Sequence, residues 1–467
     1  MPNGFRLDSQ SGSSPEVIEI AQAKAPAAPK SPEEELGQRL FNDVNLSNPA
    51  GQACSSCHDE DAGDAFPDSN VNASLGTSPG VVPGRFGLRK VPNITYDSFL
   101  PFGPPHYDNT VSAFVGGLFW DGRASDLADQ AQQPFFNPNE MNDVDVVDDG
   151  GVLHGVGDPA LVVAKVAQDP HVNSLFKTVF GKQIFSNVDA AFSDIASAIA
   201  AYEQIQEFHR FTSRYDRWLR GEIKLTPQEM DGLRLVTGSW TGRPGGAAYY
   251  KIIDGKKVYK FAQCVLCHSI PSNSKDGPDI WTNSSYANIG VPKNPDNPYY
   301  TETDTVSNPL GYNPQGADFV DLGLGGTYYP SLGLPPGNIG PTGENDFLNI
   351  NGTFRAPTLR NVDQRPYPGF VKVYMHNGVF KSLKQVVHFY NTRNLTTYPG
   401  EVIDFTKPNP YANLKGKPLW SAPEYPSANT LQNPQGLPGP NSQVGNLGLT
   451  DAEENHIVAF LQALTDH

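Results

Sequence analysis

Apolar residues recur at helical spacing in four stretches of the chain. Ser31 to Phe41 (SPEEELGQRLF) opens on a hydroxyl cap with Pro32 at the first helical position, which predicts a helix start at residue 31. From 193 to 220, SDIASAIAAYEQIQEF runs into RYDRWLRGE, and Ile195, Ile199, Tyr202 and Ile205 lie near one face of a predicted helical region. Thr226 caps a further helix, LTPQEMDGLRLV, and Thr450 to Leu464 begins TDAEE, with acids in the first turn where the helix dipole favours them. No two-residue alternation is sustained anywhere, so a mostly α fold is expected. Residues 269–350 and 396–446 break the pattern: they are dense in Gly, Pro, Asn and Tyr and read as long ordered loops over the surface, with a docking or lid surface as the alternative.

Composition adds bounds. The 467 residues suggest two or three domains and leave ample chain for a sizeable core. With 34 Lys plus Arg against 50 Asp plus Glu, the formal charge is −16, which argues against nucleic acid and anionic membranes as partners. No apolar run approaches the ~18 residues of a membrane-spanning helix. The 45 Gly and 42 Pro point to prominent loops, while 10% aromatic residues are a globular figure.

The four cysteines change the picture. They fall in two pairs, Cys54 with Cys57 and Cys264 with Cys267, each followed at once by a histidine, in CSSCH and CVLCH. C-x-x-C-H is the attachment signal for c-type haem: two thiols bond the haem edge and the next imidazole, His58 or His268, ligates the iron. A shared zinc site or two redox-active pairs are the competing readings. Neither requires a histidine at the same offset after each pair, so two covalent haems are expected. Haem attachment of this kind implies a periplasmic or cell-surface protein. Residues 1–30 lack the basic start and apolar core of an export signal, which fits a mature or engineered chain, and they read as a disordered tail. The expected organisation is a tail at 1–30, a haem domain at 31–222 and a second at 223–467 that carries both loop insertions.

The chain also resembles the bacterial dihaem cytochrome c peroxidase and MauG family. The resemblance rests on LGQRLF before the first haem motif, LFWDGRASDLADQAQQPFFNPNEM after it, FRAPTLRNV and YMHNGVFKSLKQVVHFYN after the second, and a closing LTDAEENHIVAFLQAL. It implies two cytochrome c-like all-α domains, with a peroxide-reactive N-terminal haem and an electron-transferring C-terminal haem. It further implies that Gln130 and Glu140 lie over the open face of the first haem, Glu140 as acid/base and Gln130 orienting peroxide. Trp120 would carry electrons between the haems. Pro134 matches a MauG-like proline near that face and cannot ligate iron, so a first haem held through His58 alone is expected, with His106 as the minority sixth ligand. The family also carries a calcium ion between the haems, and here Lys90 stands where a ligand Asn is usual. Asn93 is the substitute candidate, with the carbonyls of Val371 and Val373. Arg360 would contact a haem propionate or serve structurally.

The sixth ligand of the second haem has three candidates, Met375, His388 and Tyr390. After Ser382, residues Leu383, Val386, Val387 and Tyr390 fall on one helix face and His388 on the other. Tyr390 is also where the MauG-like branch carries a tyrosine, so a His268–Tyr390 pair is expected, with Met375 as packing. The function that follows is a dihaem oxidoreductase that reacts with hydrogen peroxide and stores or relays oxidising equivalents through the second haem. Its partner would be a basic cytochrome c or cupredoxin donor, recruited by the acidic surface, or a protein oxidised at aromatic residues. A conventional cytochrome c peroxidase and a non-enzymatic dihaem electron carrier are the alternatives.

Overall fold

Each of the three hydroxyl caps begins a helix in the computed structural model of the chain. Ser31, Thr226 and Thr450 each accept from the backbone three residues on, and Glu34, Glu229 and Glu453 reach back to close a capping box. The structure describes residues 29–147, 154–238, 248–270, 279–301, 313, 315–336, 348–397, 417–425 and 444–467. Residues 1–28 of the expected tail and much of the 396–446 insertion therefore lie outside the described residues.

The first part of the chain forms α1 (Pro32–Phe41), α2 (Cys54–Cys57), α3 (Ser69–Ser74), α4 (Leu127–Phe136), α5 (Pro159–Gln168), α6 (Pro170–Phe180), α7 (Val188–Glu203) and α8 (Arg214–Leu219). The rest forms α9 (Pro227–Thr237), α10 (Leu324–Ser331), α11 (Leu383–Thr392) and α12 (Asp451–Gln462). Strands are few and short, and among the described residues they pair into five two-stranded antiparallel ribbons. The fold is mostly α.

Two apolar clusters organise the helices. One gathers Leu36, Leu40, Phe135, Val162, Phe176, Ile195 and Ile199 from α1 and α4 to α7. The other gathers Leu233, Val236, Trp281, Val387, Phe389, Ile457 and Phe460 around α9, α11 and α12. Each is built on a close helix crossing at a glycine. A Cβ on Gly37 would lie 1.8 Å from the Ala198 carbonyl oxygen, and one on Gly232 would lie 2.0 Å from that of His456. The expected boundary near 222 follows α8, but Tyr215 of α8 already packs on Trp281 and Phe460 of the second cluster.

Two expectations need correction. The helical reading of 193–220 breaks after Glu203: Ile205 is extended and turns its side chain into the core, a short 3-10 turn follows at Gln206–Phe208, and Ser213 with Asp216 caps α8 afresh. The 269–350 insertion is not merely a surface loop either. Within it Trp281 is fully buried, and Tyr286, Tyr300 and Tyr329 are buried too. An irregular segment can be buried only if its backbone groups find partners. Here the asparagines supply them: Asn283, Asn288, Asn294 and Asn297 each accept from the backbone N–H two residues on, at 3.0 Å.

Fully buried Arg360 knits the two parts together. Its guanidinium meets Asp216 at 2.6 Å, donates to the Asp279 carbonyl at 2.6 Å and lies over the rings of Tyr96, Phe211 and Tyr215. Of its two expected roles, this is the structural one.

Candidate active site

In the first motif the thiols ride on the single turn α2, whose C-cap is His58, and the His58 N–H closes the turn on the Cys54 carbonyl at 2.9 Å. The His58 ring is 3.2 Å from the Asp64 carbonyl through Nδ1. A carbonyl only accepts, so Nδ1 carries the proton and Nε2 keeps its lone pair. The second motif repeats this logic on a 3-10 turn, with His268 Nδ1 3.0 Å from the Pro357 carbonyl. Burial pushes both imidazoles down to about 4, so both are neutral donors. Burial pushes the thiols up, Cys57 and Cys264 to about 12 and Cys267 to about 11, and all four cysteines are free of disulfides.

Each motif opens on a cavity. That at Cys54, Cys57 and His58 measures about 390 Å³, and Gln130, Pro134, Glu140, Trp120 and Glu203 share its wall. Gln130 and Pro134 stand one turn apart on α4, whose other face buries Leu127, Ala131 and Phe135. Glu140 follows in the turn after α4, its Oε1 accepting from Asn137 Nδ2 at 2.8 Å. Burial raises its pKa, opposed by the Arg123 charge and by that hydrogen bond. Arg123 itself lies 3.6 Å over the Phe119 ring and pairs with Asp121 at 2.9 Å. His106 is exposed on the His106–Asp108 ribbon, 3.2 Å from the Pro104 carbonyl, and is not part of this wall.

The second cavity, of about 180 Å³, is bounded by Cys264, Cys267, His268, Leu383, Val386, Val387 and Tyr390. Burial, with the two cysteines next, drives the Tyr390 phenol well above its ordinary value, while Arg393 pulls it down. His388 points away, to Glu454 at 3.0 Å. Met375 and His376 also line the cavity, so Met375 sits at the wall itself. His376 stacks on Phe354 at 3.6 Å between centroids.

Trp120 belongs to the wall of both cavities. It is 8% exposed, its indole N–H donates to the Lys90 carbonyl at 3.0 Å, and its own carbonyl accepts from Arg355 at 2.9 Å. Beside it Arg89 bridges Asp121 and Asp321, each at 2.6 Å. Asp321 and Glu424, both lining the second cavity, were missed from sequence because they lie in the two segments read as surface loops. Glu203 was missed because a glutamate ending an amphipathic helix reads as solvated.

The neutral Nε2 atoms, paired thiols and largely apolar cavity walls fit two haems. The residues expected at a calcium ion fit it poorly. Asn93 Oδ1 accepts from both the Thr95 N–H and hydroxyl at 2.7 Å, its Nδ2 donates to the Arg360 carbonyl, and the Val371 carbonyl is taken by Asn72.

Residues 31–224 match the family model described as di-haem cytochrome c peroxidase. The methylamine utilization protein MauG of Paracoccus denitrificans is 32% identical over 435 residues, spanning 92% of this chain and 88% of that one. Cytochrome c551 peroxidase of Nitrosomonas europaea is 27% identical over 354 residues, 76% of this chain and 71% of that one. The solved diheme peroxidase BthA of Burkholderia thailandensis superposes with a TM-score of 0.66 at 27% identity, over 95% of this chain and 88% of that one.

Proposed function

Because the chain belongs to the di-haem cytochrome c peroxidase and MauG family, and is therefore an oxidoreductase with two haem cofactors, we propose that it is a MauG-like enzyme acting with hydrogen peroxide outside the cytoplasm. When bound, the haems supply iron that accepts peroxide and holds oxidising equivalents. His58 and His268 would ligate the two irons, and the four cysteines would carry the haems covalently. In the first cavity Glu140 takes the proton from the incoming oxygen and returns it to the departing one, while Gln130 orients the substrate by hydrogen bonding. Pro134 brings neither a ligand nor an N–H to that face. In the second cavity Tyr390 would be a second ligand to the iron that His268 holds, binding as a phenolate once the metal takes the place of its proton.

The observation that carries this reading is the position of Trp120, common to a cavity bearing His58 and Glu140 and to one bearing His268 and Tyr390. The indole thus offers a packed route for an electron between them. Met375 on the second wall favours the conventional peroxidase as the second reading. The partner is either a redox-protein donor, for which the −16 charge suits a basic surface, or a protein oxidised at aromatic side chains. Among the described residues no helix is long and apolar enough to cross a membrane.

The test is the spectrum of the resting ferric protein. One high-spin and one low-spin haem, followed by a long-lived oxidised state on adding peroxide, is the expected result. Two low-spin haems would overturn the MauG-like reading in favour of the conventional peroxidase or the carrier.

A further inference from the structure

Two buried lysines lie where the two parts of the chain meet, Lys372 at 3% exposure and Lys90 at 8%. We propose that the Lys372 ammonium, with Lys90 beside it, is a built-in cation that takes the place of a bound calcium ion, so that this chain assembles around its haems without calcium.

The geometry at Lys372 is that of a caged cation. Its Nζ donates to three backbone carbonyls, Ala62 at 2.8 Å, Asn361 at 3.0 Å and Gln364 at 3.2 Å. Three acceptors use three N–H groups, which only the protonated amine has. Ala62 follows the first haem motif and the other two follow the second, so one side chain ties both parts of the chain. Backbone carbonyls are also the oxygen ligands that calcium takes, and here the ammonium has them. The cage is tight, since a Cβ on Gly63 would sit 2.8 Å from Nζ. Burial, and then the Lys90 charge, push the Lys372 pKa down to about 7, while Asp363 and Asp64 oppose that fall; the three carbonyl acceptors are what hold the charged form.

Lys90 extends the positive charge toward the shared tryptophan. Its Nζ donates to the Val91 carbonyl at 2.9 Å and lies 5.6 Å from the centre of the Trp120 ring. Its backbone N–H donates to the His376 carbonyl at 2.8 Å, and its carbonyl receives the Trp120 N–H. A divalent ion here would meet two ammonium groups. It would also find the Asn93 oxygen already taken by Thr95. Among the described residues no cluster of three His, Cys, Asp or Glu side chains could hold a metal ion.

The experiment uses the haem-loaded full-length protein. Elemental analysis after dialysis is expected to find substoichiometric calcium, and EGTA or added calcium chloride to leave both haem spectra and the melting temperature unchanged. One calcium per chain that survives dialysis, or an EGTA-induced change in either haem spectrum, would overturn the proposal. Lys372→Met is expected to melt at a lower temperature with no recovery on adding calcium; a variant that melts like the parent would show that the ammonium does not hold the seam. None of these measurements involves peroxide, so their failure would leave the peroxide reading standing.

Discussion

Replacing Glu140 by glutamine removes the proposed proton carrier while changing little else. One carboxylate oxygen accepts from Asn137 Nδ2 at 2.8 Å, and the glutamine carbonyl can accept the same bond. The shape of the cavity is retained and only acid/base capacity is lost, a group whose contribution is about 10²- to 10⁴-fold in rate, equivalent to about 3–5 kcal/mol of barrier. Stopped-flow mixing of the ferric protein with peroxide, followed at the haem absorbance, reads that rate directly. The wild-type rate should rise with pH as the carboxyl ionises. Burial holds the Glu140 pKa up, and the Arg123 charge and the Asn137 bond hold it down. Asn137→Ala removes a bond that favours the ionised form, so its acid limb should move toward alkaline pH. A Glu140→Gln protein that keeps the parent's haem spectrum and its peroxide rate would refute the acid/base role.

Tyr390→His should alter the spectrum of the second haem and leave the first unchanged; an untouched second-haem spectrum would remove the tyrosine ligand. Arg360→Met leaves Asp216 buried without its 2.6 Å partner, and should cost roughly 3–5 kcal/mol of stability, read as a lower denaturant midpoint. Glu203 gives a pH signature. Burial raises its folded pKa from 4.5 to about 8, with Asp97 and Asp64 adding to the shift. Between those values the folded state holds a proton that the unfolded state releases. This group therefore costs stability as pH rises through that window, the reverse of a salt-bridged carboxylate. Glu203→Gln should flatten that slope in melting temperature against pH, and an unchanged slope would disprove it.

Short-range signals were legible in the sequence. Capping residues, the i to i+3 thiol spacing and the 3.6-residue apolar period act within a turn or two of chain, so Ser31, Thr226, Thr450 and both C-x-x-C-H motifs could be read without a fold. So could the face of α11 that turns Tyr390 one way and His388 the other. The asparagine-rich insertion misled, because a stretch without periodicity reads as surface. Its asparagines in fact satisfy its own backbone and allow burial.

The sequence by itself determined the capped starts of α1, α9 and α12, the haem motifs and, through its resemblance, the family. Only the tertiary structure decided what meets across long separations. Trp120 became a wall of two cavities, Arg89 joined Asp121 to Asp321, and Lys372 gathered carbonyls from residues 62, 361 and 364. Those contacts depend on how two helical clusters pack against each other, and no local pattern of residues encodes the distance between positions hundreds of residues apart.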